Sequence, residues 1–174
     1  VGNGYTNEQI KKVLDEAKLP AVWHDDAAAV AAKLLHDGKI IGWFQGRMEI
    51  GPRSLGNRSI LADPTRAHMK DKVNAEVKHR EAYRPFAPSV PVEAKDECFL
   101  TAVETPFMLK VCDVRPEKRS VVPAITHVDG SARLQTVSEA DAPDFHAVLA
   151  AFEELTGCPV LVNTSFNVRG EPIV

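Results

Sequence analysis

Near its end the sequence changes period. Phe145, Val148, Leu149, Phe152 and Leu155 recur at helical spacing between Pro143 and Gly157, and a few residues on, Val160, Leu161 and Val162 form an apolar run too short for a helix. A helix opened by Pro, closed by Gly and followed at once by a buried strand calls for a sheet with helices laid on it.

The same alternation runs through the rest of the chain. Thr6 with Gln9 three residues on predicts a capping box, ahead of a helix whose Ile10, Val13, Leu14 and Ala17 share one face and which Pro20 ends. Asp25 or Asp26 opens an Ala-rich helix around Val30 and Leu34, with Gly38 placed as its C′ residue. Residues 39–45, KIIGWFQ, read as a buried strand and 58–61 as a second. A helix is expected from Thr65 to about Val77, strands at 86–90 and 107–114, a short helix near 93–98 and an exposed basic loop at 116–123. Residues 132–137 alternate like a half-buried strand after an Asp129-Gly130 turn, and 163–172 read as a polar loop. Helices interleaved with short strands give an α/β (or α+β) fold.

A chain of 174 residues makes one domain able to bury a core without staples. Cys98, Cys112 and Cys158 are an odd number with no CxxC pair, which excludes a disulfide framework and a Cys-rich zinc site and points to the cytoplasm. No run approaches the ~20 apolar residues of a membrane span, and no signal peptide is visible, so no membrane partner is expected. The chain stops at Val174 directly after a loop, which reads as a piece of a longer protein. Formal charge is -3, yet the stretch from Arg47 to Arg84 holds nine Lys or Arg against five Asp or Glu, and six of the ten arginines.

Within that stretch Gly46, Gly51 and Gly56 are spaced five apart among Arg47, Arg53 and Arg58. Glycine lets backbone approach a ligand, and arginine's fork matches phosphate or carboxylate oxygens in pairs. The alternative is a surface turn whose arginines pair with neighbouring acids. Lys78, Arg80 and Arg84 follow at a helix-to-strand junction stiffened by Pro85 and Pro88; Lys78 and Arg80 face the same way if the chain is extended there. Asn163, Thr164, Ser165, Asn167 and Arg169 come straight after a buried strand, where α/β sheets bind ligands, although an unliganded Asn/Ser turn has the same composition. Arg133 and Gln135 share a strand face, and His127 with Asp129 lacks a third metal ligand at a recognisable spacing. No Walker loop, GxGxxG, GxSxG or Ser/His/Asp set is present. Many cationic donors without a nucleophile suit a protein that positions phosphates and stabilises transferring charge.

Four strings, GRMEIGPRSLGNRSILADPTR, NAEVKHREAYRPFAPSV, ITHVDGSARLQTV and PVLVNTSFNVRGEPIV, together resemble the carboxy-terminal domain of the nodulation-factor and antibiotic O-carbamoyltransferases, in order and from about Gly2 to Val174. The resemblance implies a YrdC-like fold, a twisted mixed β-sheet flanked by helices, similar to that of threonylcarbamoyl-adenylate synthases. Residues 1–22 would be an arm and helix leading from an absent amino-terminal domain, and 23–174 the YrdC-like domain. Such a domain binds ATP and carbamoyl phosphate and forms carbamoyl-adenylate, with Mg²⁺ on the leaving pyrophosphate. An amino-terminal partner domain of the actin-like ATPase superfamily, holding iron or another metal ion, then passes the carbamoyl group to a hydroxyl; the isolated piece would lack full transferase activity. Sugar, aminoglycoside, macrolide and cephem acceptors all stay open, as does a homo-oligomer.

Carried over residue by residue, Lys78 and Arg80 match the KxR phosphate element and, with Arg53 of the GPRxLGxRS loop, take the catalytic roles. Arg47, Arg58, Arg84, Arg133, Asn163, Ser165, Asn167 and Arg169 become substrate or nucleotide ligands, and no residue of this chain a metal ligand. An RNA-binding module and a catalytically silent nucleotide-binding domain are the competing readings; with 6% aromatic residues the first has little stacking surface.

Overall fold

The computed structural model describes residues 2–174. Its elements in chain order are α1 (Asn7–Glu16), α2 (Ala27–His36), β1 (Ile41–Phe44), β2 (Arg58–Ala62), α3 (Met69–Val73), β3 (Ala87–Pro91), α4 (Lys95–Cys98), β4 (Phe99–Leu100), β5 (Lys110–Val114), β6 (Ser131–Val137), α5 (Pro143–Thr156) and β7 (Leu161–Ser165). The strands form a seven-stranded mixed sheet in the order β1-β2-β7-β3-β6-β5-β4. Neighbours run antiparallel except β3 and β6, which are parallel. This is the mixed α/β sheet that the resemblance implies.

Residues paired across a ladder share a face, so register sorts the sheet. Trp43 stands beside Ser59 and Ser59 beside Ser165; Asn163 stands beside Ala87, Ser89 beside Gln135, and Arg133 beside Val111. Alternation along β7, β3 and β6 therefore puts Ser165, Asn163, Ser89, Gln135 and Arg133 on one face. The opposite face carries Ala62, Val162, Val90 and Leu134, which belong to one apolar core with Leu35 of α2 and Phe145, Val148, Leu149 and Phe152 of α5. The first face also gives Leu61, Leu161 and Val137 to that core, and beside them it carries a row of polar groups available for a site.

Local signals are realised where they act locally. The capping box forms, with Gln9 N–H donating to Thr6 Oγ1 at 3.3 Å and Thr6 N–H to Gln9 Oε1 at 2.8 Å. Asp26 caps α2, and Gly157 ends α5 in the left-handed region. Nevertheless α1 buries none of its residues; Gly2 and Asn3 pair with Met48, and Tyr5 lies 6.4 Å from Phe44.

Several expectations need correcting. Residues 64–68 turn before helix α3 begins at Met69, because Asp63 accepts from both the N–H and the hydroxyl of Thr65, and Asn74–Lys78 then widens into a π-type turn. β5 starts at Lys110 and leaves Phe107 exposed. The 116–123 segment contains a 3₁₀ turn over Pro116–Lys118 and sends Val122 into the core. β6 is buried on both faces apart from half-buried Arg133, because Ala132 and Leu134 enter the core and the 46–57 segment lays the Leu55 carbonyl on Gln135 on the other side. Asn163, Thr164 and Ser165 are strand, not loop.

Of the three spaced glycines, Gly56 alone meets a close neighbour. Its φ is +106°, and a Cβ there would fall 2.2 Å from Phe145 Cδ1. Here glycine admits a helix side chain, not a ligand, and it seats the 46–57 segment against α5. Among the described residues, no helix is long and apolar enough to cross a membrane.

Candidate functional site

Over the polar face of the sheet lie two adjoining cavities that share Arg80 and Ser165. The first, about 130 Å³, is lined by Arg53, Ser54, Arg80, Phe86, Arg133 and Asn163, among others. The second, about 260 Å³, is lined by Lys78, Arg80, Arg84, Ser165, Asn167 and Arg169, with Glu81 at its edge. Nine of the eleven residues expected at the site therefore converge on it.

Arg58 and Arg47 do not join them. Arg58 Nε donates to Glu49 Oε2 at 3.0 Å, its Nη2 donates to the Glu49 carbonyl, and its Nη1 donates to the Val174 carbonyl at 2.9 Å. Glu49 Oε1 in turn accepts from the N–H of Leu55 at 2.7 Å and of Asn57 at 3.4 Å. Burial raises the Glu49 carboxyl, but the Leu55 N–H, Arg58 and the residue's own N–H outweigh it and hold it below its ordinary value. This carboxylate, nine residues from Arg58, folds the loop on itself. Arg47 is exposed and donates from Nε to the Gly2 carbonyl at 3.0 Å.

Lys78 and Arg80 meet by a route other than an extended chain. The π-type turn ends at His79, which adopts a left-handed φ of 46°, and Arg80 N–H closes back on the Asn74 carbonyl at 3.1 Å. Buried Asn74 then orients the arginine: its Oδ1 accepts from Arg80 Nε at 2.7 Å and its Nδ2 donates to the Arg84 carbonyl at 3.1 Å. The Arg80 guanidinium lies 4.7 Å over the Phe86 ring. Asn74 was not among the sequence candidates, although it opens the string NAEVKHREAYRPFAPSV.

Lys78 is buried, with Nζ donating to the Ser165 carbonyl at 2.5 Å, Ser165 Oγ at 3.1 Å, the Asn167 carbonyl at 3.0 Å and Asn167 Oδ1 at 2.8 Å. It ties the end of β7 to the KxR turn. Burial, helped by Arg80, brings its pKa down to about 8. Arg80 is depressed by burial and Arg84, and Arg133 by burial and Arg53. Both cavities are thus lined by cations that disfavour one another's charge.

Between about pH 8 and the ordinary lysine value the unfolded chain holds a proton at this residue that the folded chain has lost. Ligand-free stability arising from Lys78 therefore rises with pH across that window. Chemical denaturation at pH 7.5 and 9.5 should show the wild type gaining on a Lys78→Met variant; a constant difference would contradict the depressed pKa.

Asp129 Oδ1 accepts from both the N–H and the hydroxyl of Ser131, so the 127–131 segment is a turn leading into β6. The two cavities offer one carboxylate, Glu81, which pairs with Arg84 at 3.1 Å. Such a lining supplies no oxygen cage for Mg²⁺, so any magnesium ion there would depend on phosphate oxygens of a nucleotide.

The fold and this site define an α/β domain with a cation-lined groove across the polar face of a mixed sheet. The chain belongs to the carbamoyltransferase C-terminus family, whose profile matches residues 32–174. It is 56% identical to nodulation protein NolNO of Sinorhizobium fredii over 86% of this chain and 22% of that protein. It is 44% identical to the 3′-hydroxymethylcephem-O-carbamoyltransferase of Amycolatopsis lactamdurans over 93% of this chain and 31% of that enzyme. The chain thus spans a third or less of the curated relatives it matches. Among solved structures, full-length HypF in its phosphate- and nucleotide-bound form matches 89% of this chain and 19% of HypF with a TM-score of 0.57 at 18% identity, a likeness of fold.

Proposed function

We propose that this chain is the ATP- and carbamoyl-phosphate-binding domain of an O-carbamoyltransferase and forms carbamoyl-adenylate. The observation that carries the reading is the pair of adjoining cationic cavities sharing Arg80 and Ser165, a small one and a wider one, as two phosphate-bearing substrates require. Family membership supplies the carbamoyl chemistry, and the phosphate- and nucleotide-bound form of HypF, a protein of similar fold, is consistent with the same division.

In this reaction water cleaves carbamoyl phosphate to carbamate and phosphate. A carbamate oxygen then attacks the α-phosphorus of ATP and pyrophosphate leaves with its electron pair. The chain's own part is to hold both anions in line and to offset charge as it moves to the leaving oxygens, with Arg53, Arg80 and Arg133 at the small anion and Lys78, Arg84 and Arg169 around the nucleotide phosphates. In the resulting adenylate the activated carbonyl is ready for attack by an acceptor hydroxyl, a step assigned to a partner domain of the actin-like ATPase superfamily. Calorimetry with ATP, followed by carbamoyl phosphate under a pyrophosphate assay, tests the proposal. Pyrophosphate release dependent on carbamoyl phosphate is expected; ATP binding without it would favour the silent-domain reading.

A further inference from the structure

Two arginines of this chain are held by the same atom and end in different places. Arg58 Nε donates to the Glu49 carboxylate at 3.0 Å, and Arg58 lines neither cavity. Arg80 Nε donates to the Asn74 amide oxygen at 2.7 Å, and Arg80 lines both. A carboxylate meets a guanidinium's geometry and its charge together, whereas an amide oxygen meets the geometry and leaves the charge for another partner.

Every group that holds Arg80 is of this neutral kind. Besides Asn74, the Pro85 carbonyl takes Nη2 at 3.4 Å and the Phe86 ring lies 4.7 Å from the guanidinium. The neighbouring acid, Glu81, pairs with Arg84 at 3.1 Å, and among the described residues Arg80 enters no ion pair. Its charge is therefore oriented without being neutralised.

The Asn74 amide has one possible orientation. Arg80 Nε only donates, while the carbonyls of Arg84, at 3.1 Å, and Ala82, at 3.5 Å, only accept and so face Nδ2. Asn74 is 1% exposed, so water does not stand in for either end. Its own carbonyl accepts from the N–H of His79, closing the π-type turn, and from the N–H of Arg80 at 3.1 Å. One residue thus holds Arg80 at both backbone and side chain, while the lining of neither cavity includes it. An aspartate of the same shape would set an oxygen against the Arg84 carbonyl and a full negative charge beside the guanidinium.

We infer that Asn74 is a positioning residue for the anion site, its neutral amide aiming the Arg80 guanidinium at both cavities without neutralising it. This rests on the proposed function and deepens it by naming what keeps the shared cation free for the two anions. Replacing the amide by a carboxylate would turn Arg80 into a second Arg58, well held and withdrawn from the ligands.

Calorimetric titration of ATP and of inorganic phosphate into the wild type, Asn74→Ala and Asn74→Asp tests this. Asn74→Ala should weaken both ligands roughly three- to ten-fold, because a freed arginine must be ordered each time an anion binds. Asn74→Asp should weaken both by roughly 30-fold or more, because a carboxylate then competes for the guanidinium. A merely structural role gives the reverse order, since aspartate keeps an oxygen for Nε that alanine lacks. Arg80→Lys puts a methylene where Nε stood and keeps the charge, so in that background Asn74→Ala should leave ATP affinity where it is. A further fall there would make Asn74 a prop of the turn, and wild-type affinities in a folded Asn74→Ala would overturn the role as well. Should Asn74→Asp fail to fold, the two Asn74→Ala comparisons decide alone. A wild type that binds neither ATP nor phosphate would instead overturn the proposed function.

Discussion

Replacing Glu49 by alanine should cost about 3–5 kcal/mol of folding stability, the usual loss when one partner of a buried ion pair is removed and the other is left uncompensated. Glu49 and Arg58 keep only 9% and 13% of their side chains exposed and stand 3.0 Å apart, so solvent cannot take over the pairing. Alanine also strands the N–H groups of Leu55 and Asn57, both held by Glu49 Oε1. In a chain of this size the melting temperature should fall by roughly 10 °C. Glu49→Gln, which keeps an oxygen for Leu55 but loses the charge, should fall between the two in denaturant unfolding. The effect reaches the site, because the same loop places Arg53 and Ser54 in the smaller cavity and gives the Leu55 carbonyl to Gln135. Anion affinity should therefore drop even in the folded Glu49→Ala population, and wild-type stability in that variant would remove Glu49 from this role.

How much of this was legible in the sequence depends on the range of each interaction. The Thr6 and Gln9 cap, the Asp26 cap and the Pro143 start and Gly157 stop act over three or four residues, and a reader of one segment can see them whole. Asn163, Thr164 and Ser165 look like a loop because they are a polar run whose Asn163 finds no side-chain partner in its own segment. They form an interior strand because Ser89 and Gln135, 74 and 28 residues away from Asn163, take up its amide. Arg58 and Arg53 are the same residue type in the same motif; which of them pairs internally depends on where Glu49 swings, and spacing does not record that. The convergence of Lys78 with Ser165 and Asn167 spans 87 residues or more, so the sequence could offer both strings as candidates without stating that they touch. Family resemblance supplied what range concealed, since four strings in a fixed order carry the contacts of the fold they come from.

Arg80→Ala should reduce carbamoyl-phosphate-dependent exchange of pyrophosphate into ATP by roughly 30- to 1000-fold. Arg80 lines both cavities, so its loss touches both anions at once. A charge contact near 4 Å at an effective dielectric of about 20 is worth about 4 kcal/mol, and desolvation of the partners reduces the net to about 2–4. The arginine is held for this purpose from three sides: Asn74 Oδ1 takes Nε at 2.7 Å, the Pro85 carbonyl takes Nη2 at 3.4 Å, and the Phe86 ring lies 4.7 Å beneath. Lysine keeps the charge but neither the fork nor the stacking, so Arg80→Lys should recover only part of the exchange. Stability separates this role from a structural one. Removing Arg80 costs Asn74 a hydrogen bond of about 1 kcal/mol but relieves repulsion with Arg84 and Lys78, so the ligand-free variant should unfold close to the wild type. What it should lose is the stabilisation that added ATP gives the wild type. Exchange left intact in Arg80→Ala would remove Arg80 from the chemistry and leave the two cavities without the cation that joins them.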